Sequence, residues 1–211
     1  MSRPDRPKRG RSFDLNPEQE EALRHRAKAE LRKRFRAVRG AVPRESRQAR
    51  SAKLCAHLTA SDAWQNATLV AGYVAMGSEA DPAKALAERQ AAGQSYALPA
   101  MDWDADEVIF READGSPLEE SGLGFLQPPE SAPQVAFGQI DLVLVPALAI
   151  DDRGFRLGWG KGYYDRLLPR LPNALAIALV FDFQLLAELP HTSADVPVPT
   201  TVTDAGVRQN F

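Results

Sequence analysis

The sequence predicts an α/β protein, with a mostly parallel sheet flanked by helices in a single compact domain. Short apolar runs that favour β-strands alternate with segments of helical periodicity, which is the pattern of such folds. The runs are apolar on both faces, as the central strands of a parallel sheet are. A glycine-rich loop follows the most apolar run, at the end of the strand where these sheets bind ligands.

The composition is that of an ordinary globular protein, and it argues against several classes of function. The chain has 211 residues with 26 basic and 28 acidic side chains, so its formal charge of -2 does not demand a nucleic acid or a membrane as partner. One cysteine and three histidines predict neither a disulfide framework nor a zinc site. No apolar run reaches the roughly 20 residues that span a bilayer, and no signal-peptide segment is evident. We therefore expect a cytoplasmic protein without membrane contact.

The first elements are predicted to be a flexible tail and a long helix. Residues 1–14 are polar, basic and interrupted by proline and glycine, so we expect a tail there and a folded domain over residues 15–211. Asn16 is a favourable N-cap, Pro17 suits the first helical position and Gln19 completes a capping box. An apolar stripe at helical spacing predicts the buried face of this helix, namely Leu23, Ala27, Leu31, Phe35 and Val38.

A second helix is predicted to open at Pro43, and strands and helices alternate after it. The expected inward face of this helix carries Ala49, Ala52, Leu54 or Cys55, and Leu58. Apolar, β-favouring composition predicts strands at residues 68–76, 95–98, 107–111, 141–150, 174–181 and 198–202. The remaining predicted elements are helices at residues 82–90 and 163–170, a surface connection at 112–138 and a helical turn at 183–188.

The loop after the strand at residues 141–150 has the composition of a phosphate-binding segment. Gly158, Gly160 and Gly162 alternate in it, so successive backbone N–H groups can turn towards an anion. The spacing is neither that of a Walker A loop nor that of the GxGxxG fingerprint. On the glycines alone, an ordinary glycine-rich turn is an equally good interpretation.

Charged side chains in the same loop favour the phosphate-binding interpretation. Arg156 and Lys161 offer positive charge to phosphate oxygens. Asp165 follows the last glycine and supplies an oxygen ligand of the kind that Mg²⁺ prefers. Because three such charged side chains lie in one short segment after a strand, a binding site explains them better than chance does.

The long helix carries a basic face that three roles would explain. Eight Lys or Arg residues and one acidic residue lie between Arg24 and Arg39, and Lys28, Arg32 and Arg36 repeat every four positions. Such a face can be solvated, can bind nucleic acid or can contact a polyanionic ligand. The near-neutral total charge and the lack of interleaved aromatic residues argue against nucleic acid. We favour a polyanion, because it would relieve the repulsion among the like charges.

The segment RLGWGKGYYDR, at residues 156–166, resembles the signature of the 5-formyltetrahydrofolate cyclo-ligase family, also called methenyltetrahydrofolate synthetases. The resemblance spans about residues 27–204, because further segments resemble the family in the same order, at residues 28–32, 72–79, 124–128 and 195–203. Two positions depart from the family pattern. Ala147 stands where the family usually has Gly, and Ala100 stands where it commonly has Arg.

The resemblance implies the family's NagB/RpiA/CoA transferase-like fold and an ATP- and Mg²⁺-dependent enzyme. The family converts 5-formyltetrahydrofolate to 5,10-methenyltetrahydrofolate and releases ADP and phosphate, with ATP as co-substrate. We therefore expect small molecules as partners, no nucleic acid and a monomer. Two alternatives stay open. One is a paralogue of the same fold that uses ATP to activate another formamide-like metabolite, and the other is an RNA-binding module that uses the basic helix.

The resemblance also implies roles, position by position, for residues of this chain. The catalytic residues implied are Lys161 and Arg156. The ATP-binding residues implied are Lys28, Arg32, Arg156, Leu157, Gly158, Trp159, Gly160, Lys161, Gly162, Tyr163 and Tyr164. The substrate-binding residues implied are Val74, Glu79, Trp159, Gly160, Lys161, Gly162 and Tyr163, and the Mg²⁺ ligands implied are Asp165 and Asp195. For Trp159, stacking on a flat ligand ring and anchoring in the core are both open.

Overall fold

The computed structural model of the protein describes residues 16–210, and the predicted tail at residues 1–14 lies outside the described residues. An eight-stranded sheet runs through this part of the chain, accompanied by a three-stranded and a two-stranded sheet. The strands are β1 (Val70–Ala71), β2 (Tyr96–Asp102), β3 (Glu107–Glu112), β4 (Glu119–Glu120), β5 (Leu126–Gln127), β6 (Gln134–Val135), β7 (Leu142–Pro146), β8 (Ala149–Asp151), β9 (Arg156–Leu157), β10 (Leu175–Leu179), β11 (Leu185–Leu186), β12 (Thr200–Thr203) and β13 (Gly206–Gln209).

The large sheet is parallel at its centre and antiparallel at its edges. Its strand order is β13-β12-β10-β7-β1-β2-β3-β6, and neighbours from β12 to β2 pair in parallel. The edge strands β13, β3 and β6 pair antiparallel with their neighbours. Parallel neighbours need long crossover connections, and helices at Ala83–Ala91 and Tyr163–Leu167 lie in those from β1 to β2 and from β7 to β10. The predicted α/β class with a mostly parallel sheet is therefore confirmed.

Alternate residues of the central strands pack on opposite faces of the sheet, and each face has its own core. In β7, Leu142 and Leu144 belong to the cluster on one face, whereas Val143 and Val145 belong to the cluster on the other. All four side chains are fully buried. Burial on both faces explains why this strand is a continuous apolar run in the sequence rather than an alternating one.

The first helix begins where the sequence predicts it. The side chain of Asn16 accepts the backbone N–H of Gln19 at 2.8 Å, and the side chain of Gln19 accepts the backbone N–H of Asn16 at 3.1 Å. In the part of the chain that the structure describes, no helix combines the length and apolarity that a membrane crossing requires. The α-helices are α1 (Pro17–Ala41), α2 (Arg44–Thr59), α3 (Asp62–Asn66), α4 (Ala83–Ala91) and α5 (Tyr163–Leu167).

α1 packs against the three-stranded sheet β11-β8-β9. A third core cluster joins the helix to this sheet and consists of Phe35, Leu148, Ala149, Leu157 and Leu189. The predicted apolar stripe is wrong at its two ends, since Leu23 and Val38 are 56% and 44% exposed. Two cations, Lys28 and Arg39, are buried on the inner face instead. This packing brings the basic side of α1 next to the loop that follows β9.

Some local predictions differ from the structure. The predicted connection at residues 112–138 contains the short strands β4, β5 and β6, and the predicted helical turn at 183–188 includes β11. On α2, Ala49 and Ala52 are exposed, although they were expected to face inward. Ser51 is buried there instead, because its Oγ accepts the backbone N–H of Asp81 at 3.1 Å. A small polar residue with a partner inside the protein breaks the apolar pattern on which the prediction rests.

Candidate functional site

A cleft of about 800 Å³ opens where β1 and β7 end. Pro146, the last residue of β7, lines it together with Tyr73 and Val74, which come just after β1. This is the carboxyl end of the parallel strands, where such sheets bind ligands. Its lining combines cations, glycines and apolar side chains with the carboxyl groups of Glu79, Asp165 and Asp195.

The glycine loop, residues 158–162, joins β9 to α5. Gly160 and Gly162 have φ angles of 98° and 68°, in the left-handed region that favours glycine. A Cβ at position 160 would also lie 3.3 Å from the guanidinium carbon of Arg32, a tight contact that the Arg32 side chain would have to relieve by a small shift. α5 has only five residues, so its dipole is small. The loop amides and the cations around them are therefore the main groups that can attract an anion.

Two cations of α1 reach the cleft on the side of the glycine loop. Arg32 Nε donates to the carbonyl oxygen of Gly158 at 2.9 Å. Lys28 Nζ contacts both carboxylate oxygens of Asp195 and lies 2.6 Å from Oδ1. The two residues are one helical turn apart, so they project from the same side of α1.

Asp195 is held by donors on each of its oxygens. Its Oδ2 accepts the backbone N–H of Thr192 at 2.6 Å and the hydroxyl of Thr192 at 3.0 Å, in addition to its contact with Lys28. Burial alone would raise the pKa of Asp195, but the hydrogen bonds from Lys28 and Thr192 hold that pKa below its ordinary value. The carboxylate is therefore ionised at neutral pH and fully engaged by the protein.

Asp165 lies beside the Asp195 segment and is paired with Arg156. Its Oδ1 accepts the backbone N–H of Val196 at 3.2 Å and Nη2 of Arg156 at 2.8 Å. The side chain of Arg156 is 4% exposed, and its Nη1 donates to the carbonyl oxygen of Val196 at 2.5 Å. The charge of Arg156 is thus directed at Asp165 and the backbone.

The two aspartates fit a divalent cation that brings ligands of its own. Within residues 16–210, no three His, Cys, Asp or Glu side chains cluster as a protein-made metal site would need. Asp195 uses both oxygens on protein donors, whereas nothing among the described residues donates to Asp165 Oδ2. Mg²⁺ commonly takes one or two carboxylates together with phosphate oxygens. The donor set therefore suits a Mg²⁺ ion that arrives with a phosphate ligand.

Glu79 lines the cleft and is only 6% exposed. Its Oε1 accepts the indole N–H of Trp159 at 2.7 Å, and its Oε2 accepts the backbone N–H of Met76 at 2.9 Å. Burial raises the pKa of Glu79, although these two hydrogen bonds and the charge of Arg39 oppose the rise. A buried carboxyl group with a raised pKa in a cleft is typical of a binding or catalytic group.

Trp159 connects the glycine loop to α1 and to Glu79. Its indole is 39% exposed, and the guanidinium carbons of Arg36 and Arg39 lie 5.3 and 5.7 Å from its ring centroid. These are cation–π distances. Trp159 is therefore not a core anchor, and its hydrogen bond and its two cations fix the ring within the site.

Every predicted site residue except Leu157 lines the cleft. Leu157 is 1% exposed and packs in the cluster that joins α1 to the small sheet. Only its backbone is left to contact a ligand. Lys161 is exposed within the glycine loop. Tyr164 lies in the helix that follows the loop, and burial raises its pKa.

Sequence reasoning missed part of the apolar lining of the cleft and one buried cation. The missed apolar residues include Pro99, Val108, Leu123 and Phe125, whereas Val74 was among the predicted ones. Phe125 lies in the segment at residues 124–128, whose resemblance to the family was a usable signal, whereas Pro99 and Val108 belong to ordinary-looking strands. Ala100, the departure from the family pattern, is fully buried and is not among the lining residues. The buried cation is Arg39, which the sequence does not distinguish from its basic neighbours.

The chain is similar in sequence to known proteins. The sequence model of the 5-formyltetrahydrofolate cyclo-ligase family matches residues 24–204. The chain is 32% identical over 184 residues to the 5-formyltetrahydrofolate cyclo-ligase of Mycolicibacterium smegmatis, which covers 84% of this chain and 94% of that protein. It is 28% identical over 143 residues to the protein of the same name from Escherichia coli K12, which covers 65% of this chain and 79% of that protein.

Two solved structures share the fold. The NMR structure of Aquifex aeolicus 5,10-methenyltetrahydrofolate synthetase superposes with a TM-score of 0.78 at 30% identity, over 87% of this chain and 92% of that chain. The 5,10-methenyltetrahydrofolate synthetase of Mycoplasma pneumoniae superposes with a TM-score of 0.69 at 22% identity, over 84% and 98% of the two chains. The second likeness concerns the fold alone.

Proposed function

The chain belongs to the 5-formyltetrahydrofolate cyclo-ligase family, and from that membership we propose how its cleft works. The reaction is the ATP-dependent conversion of 5-formyltetrahydrofolate to 5,10-methenyltetrahydrofolate, with release of ADP and phosphate. One observation supports the assignment to this cleft. A glycine loop with cations and a buried carboxyl group among apolar side chains line the same cavity, as a triphosphate and a reduced pterin require.

The chemical difficulty is that a formamide oxygen is a poor leaving group. In the proposed sequence the formyl oxygen attacks the γ-phosphorus of ATP, the bond from that phosphorus to the bridging oxygen breaks, and ADP leaves. N10 of the folate then attacks the formyl carbon and gives up its proton, and the C–O bond breaks to release phosphate. No protein nucleophile takes part, so the protein contributes positioning and charge.

We assign the γ-phosphoryl group to the glycine-loop amides and Lys161. Lys161 lies between two glycines and is exposed, so its ammonium group can follow the phosphoryl group as charge develops on it. Arg32 is fixed on α1 by its bond to Gly158, which suits binding of the triphosphate before reaction. Arg156 is bonded to Asp165, so its proposed task is to orient that carboxylate.

Lys28 changes partner in this proposal when ATP binds. Its ammonium group contacts Asp195 in the structure, and a triphosphate would compete with Asp195 for it. The carboxylate of Asp195 would then be released from Lys28, and together with Asp165, which lines the same cleft, it would hold the Mg²⁺ that accompanies ATP. Mg²⁺ supplies positive charge that neutralises phosphate oxygens when it is bound.

The pterin is assigned to Glu79. A carboxylate can accept two hydrogen bonds from the amino group and the neighbouring ring N–H of a pterin. Val74 and Phe125 line the cleft near it and supply apolar contact for the ring. This assignment extends the role that the family resemblance implies for Glu79 and Val74.

The position of the α1 cations weakens the RNA-binding alternative without removing it, because five of the eight Lys or Arg residues of the basic face remain exposed. Lys28 and Arg39 are buried, and Arg32 is bonded to the glycine loop, so these three charges are not presented to a nucleic acid. The paralogue alternative is a question of substrate, which turnover decides.

Turnover of the purified protein tests the proposed function. We expect methenyl absorbance in the near ultraviolet when the protein is mixed with ATP, Mg²⁺ and 5-formyltetrahydrofolate, with one ADP formed per product. Omission of ATP and the variant Lys161→Ala are the controls, and both should abolish or greatly reduce the signal. ATP hydrolysis with another formamide but not with the folate would support the paralogue instead.

We also propose that the protein acts as a monomer in the cytoplasm. The single cysteine, Cys55, is buried and unpaired, which is compatible with a reducing compartment. Light scattering after size exclusion should give the mass of one chain, 23.1 kDa. A mass of two chains would contradict the monomer.

A further inference from the structure

Arg39 is the most deeply buried cation of the described residues, at 1% exposure. No step of the proposed reaction uses it. Burial of a guanidinium group costs free energy unless its donors find partners and its charge is balanced. Because core packing alone would not offset this cost, we expect another role of Arg39 in the contacts that it makes beside the cleft.

The contacts of Arg39 join three segments that are distant in sequence. Its Nε donates to the hydroxyl of Ser78 at 3.0 Å, and its Nη1 donates to the carbonyl oxygen of Ala147 at 3.3 Å. Its guanidinium carbon lies 5.7 Å from the ring centroid of Trp159. Arg39 therefore links the turn before Glu79, the segment between β7 and β8, and the glycine loop.

The turn that carries Glu79 depends on such support. Gly77 adopts a φ of 60°, and a Cβ there would meet nothing within 4 Å. Two hydrogen bonds close the turn, from the N–H of Glu79 to the carbonyl of Met76 at 3.2 Å and from the N–H of Met76 to Oε2 of Glu79 at 2.9 Å. Ser78 is the residue between Gly77 and Glu79. Its bond to Arg39 is the side-chain contact that ties this turn to a rigid helix.

Arg39 acts on Glu79 in two further ways. It contacts the ring of Trp159, whose indole N–H donates to Glu79 at 2.7 Å. Its charge also opposes the rise that burial causes in the pKa of Glu79. The other titratable groups that face Glu79 are Tyr73 after β1 and Tyr164 on α5, together with Arg44, Arg47, Asp81 and Lys84 around an adjoining pocket.

We propose that Arg39 is a positioning residue of the site, which holds the Glu79 turn and the indole of Trp159 in register so that the folate meets a correctly aimed, ionised carboxylate. The inference rests on the proposed function, because it takes Glu79 as the group that binds the pterin. Arg39 is not among the residues that line the cleft, so it acts through its neighbours.

The consequence is a selective defect in folate binding. Without Arg39, the turn loses a support and Glu79 is ionised to a smaller extent, so the KM for 5-formyltetrahydrofolate rises. The KM for ATP changes little, because Lys28, Arg32 and the loop amides are still present. A misplaced binding group commonly costs about tenfold or more in apparent affinity.

Steady-state kinetics with each substrate varied tests the proposal. For Arg39→Met we expect a KM for the folate about tenfold higher or more and a KM for ATP within about threefold of the parent value. The charge-matched control is Arg34→Met, which removes an exposed cation from the same helix and should leave both constants unchanged. Arg39→Lys keeps the charge but loses the fork, so it should recover only part of the folate affinity.

The pH profile separates positioning from a general structural effect. If only the ionised form of Glu79 binds the folate, the acidic limb of kcat/KM for the folate moves to higher pH in Arg39→Met and returns towards the parent position in Arg39→Lys. In a cycle with Trp159→Phe, the double variant should lose less than the product of the two single losses, because both changes act on Glu79.

Three outcomes would overturn the inference. They are a parental folate KM in a folded Arg39→Met variant, an equal rise of both KM values, and an unmoved acidic limb. If Arg39→Met fails to fold, Ser78→Ala replaces it, and a parental folate KM for Ser78→Ala then overturns the inference. Absence of turnover in the parent protein would instead contradict the proposed function, so the two failures are distinguishable.

Discussion

The ammonium group of Lys28 contacts both carboxylate oxygens of Asp195, although 167 positions separate the two residues in the sequence. The side chains are 8% and 14% exposed, so this ion pair is largely removed from water. It fastens α1 to the segment that follows the small sheet, and it joins a proposed phosphate ligand to a proposed Mg²⁺ ligand. Stability and metal dependence should therefore change together when it is broken.

Replacement of Asp195 should weaken the protein and raise its Mg²⁺ requirement. Asp195→Asn leaves the buried charge of Lys28 without a counter-charge, which we expect to cost on the order of 2 kcal/mol, below the loss for a fully buried pair. The corresponding fall in Tm is roughly 4–8 °C for a chain of this size. Thermal unfolding and Mg²⁺ titration of turnover measure the two effects.

Two further variants complete that test. Asp165→Asn should also raise the Mg²⁺ requirement, because it removes the charge of the second proposed Mg²⁺ ligand. Asp152→Asn breaks only an exposed pair with Arg208 and should leave both quantities unchanged. If the Mg²⁺ titrations of the Asp165 and Asp195 variants match that of the parent, the metal assignment is wrong.

The same ion pair predicts how stability depends on acid. The pKa of Asp195 in the folded protein lies below its ordinary value, which is about 3.9 in an unfolded chain. Its contribution to stability is therefore complete above about pH 4 and is lost as the pH falls through the lower, folded-state pKa. We expect the Tm difference between the parent and Asp195→Asn to be largest near pH 6 and to shrink below pH 4. A difference that stays constant over this range would show that the carboxylate charge is not the source.

Lys161 and Arg32 should affect different kinetic constants. Lys161→Ala removes a contact that strengthens as the phosphoryl group moves, so we expect kcat to fall on the order of a hundredfold. Arg32→Ala removes a contact already present with bound ATP, so we expect mainly a higher KM for ATP. The double variant should lose less than the sum of the two free energies, since both act on one triphosphate. Normal turnover and a normal ATP constant in Lys161→Ala would remove the glycine loop from the phosphate site.

Gly154 should not tolerate a side chain. Its φ is 78°, and a Cβ would lie 2.3 Å from the carbonyl oxygen of Val198, which is far inside van der Waals contact. We expect Gly154→Ala to lower the free energy of unfolding by about 3 kcal/mol or more. Gly138→Ala is the matched control, because a Cβ at position 138 meets nothing within 4 Å and its φ is not positive. Equal denaturation midpoints for the two variants would contradict this packing.

Deletion of residues 1–14 should leave folding and turnover nearly unchanged. The segment is polar and has no apolar periodicity with which to join a core. The deletion variant should unfold within a few degrees of the full chain and retain its kcat, measured side by side. A large loss of turnover would assign the segment a part in the site.

The predictable parts of the molecule are those that depend on local sequence. The capping box at Asn16 and Gln19 fixes the start of α1 through neighbouring residues alone. The apolar run predicted as one strand at residues 141–150 does identify buried strand structure, although the chain divides it between β7 of the large sheet and β8 of the small one. The glycine loop is likewise visible, because alternating glycines with Arg156, Lys161 and Asp165 are rare outside binding segments. Each of these signals lies within a few residues.

The unpredicted parts depend on which distant segments meet. The periodicity of α1 indicates an apolar stripe through Leu23 and Val38, yet the helix packs on a small sheet that covers only its middle. Its inner face therefore carries Lys28 and Arg39, whose partners lie more than 35 positions away in the sequence. Nothing local distinguishes these two cations from the exposed ones beside them. The pairing of Arg156 with Asp165 could be suspected, because the two residues are nine positions apart in the sequence. The sequence does not show that this pairing and the bond to Val196 occupy the guanidinium group.

Because helix α1 is continuous, it sets the distance between the proposed ATP site and the proposed folate site. Lys28 and Arg39 lie on one unbroken helix, and at 1.5 Å per residue their eleven-residue interval spans about 16 Å. Insertion of one residue between them would rotate the following part of the helix by about 100° and shift it by about 1.5 Å. Either Lys28 or Arg39 would then point away from its present partners. In homologous chains, the interval from Lys28 to Arg39 should therefore be constant in length wherever both contacts are retained.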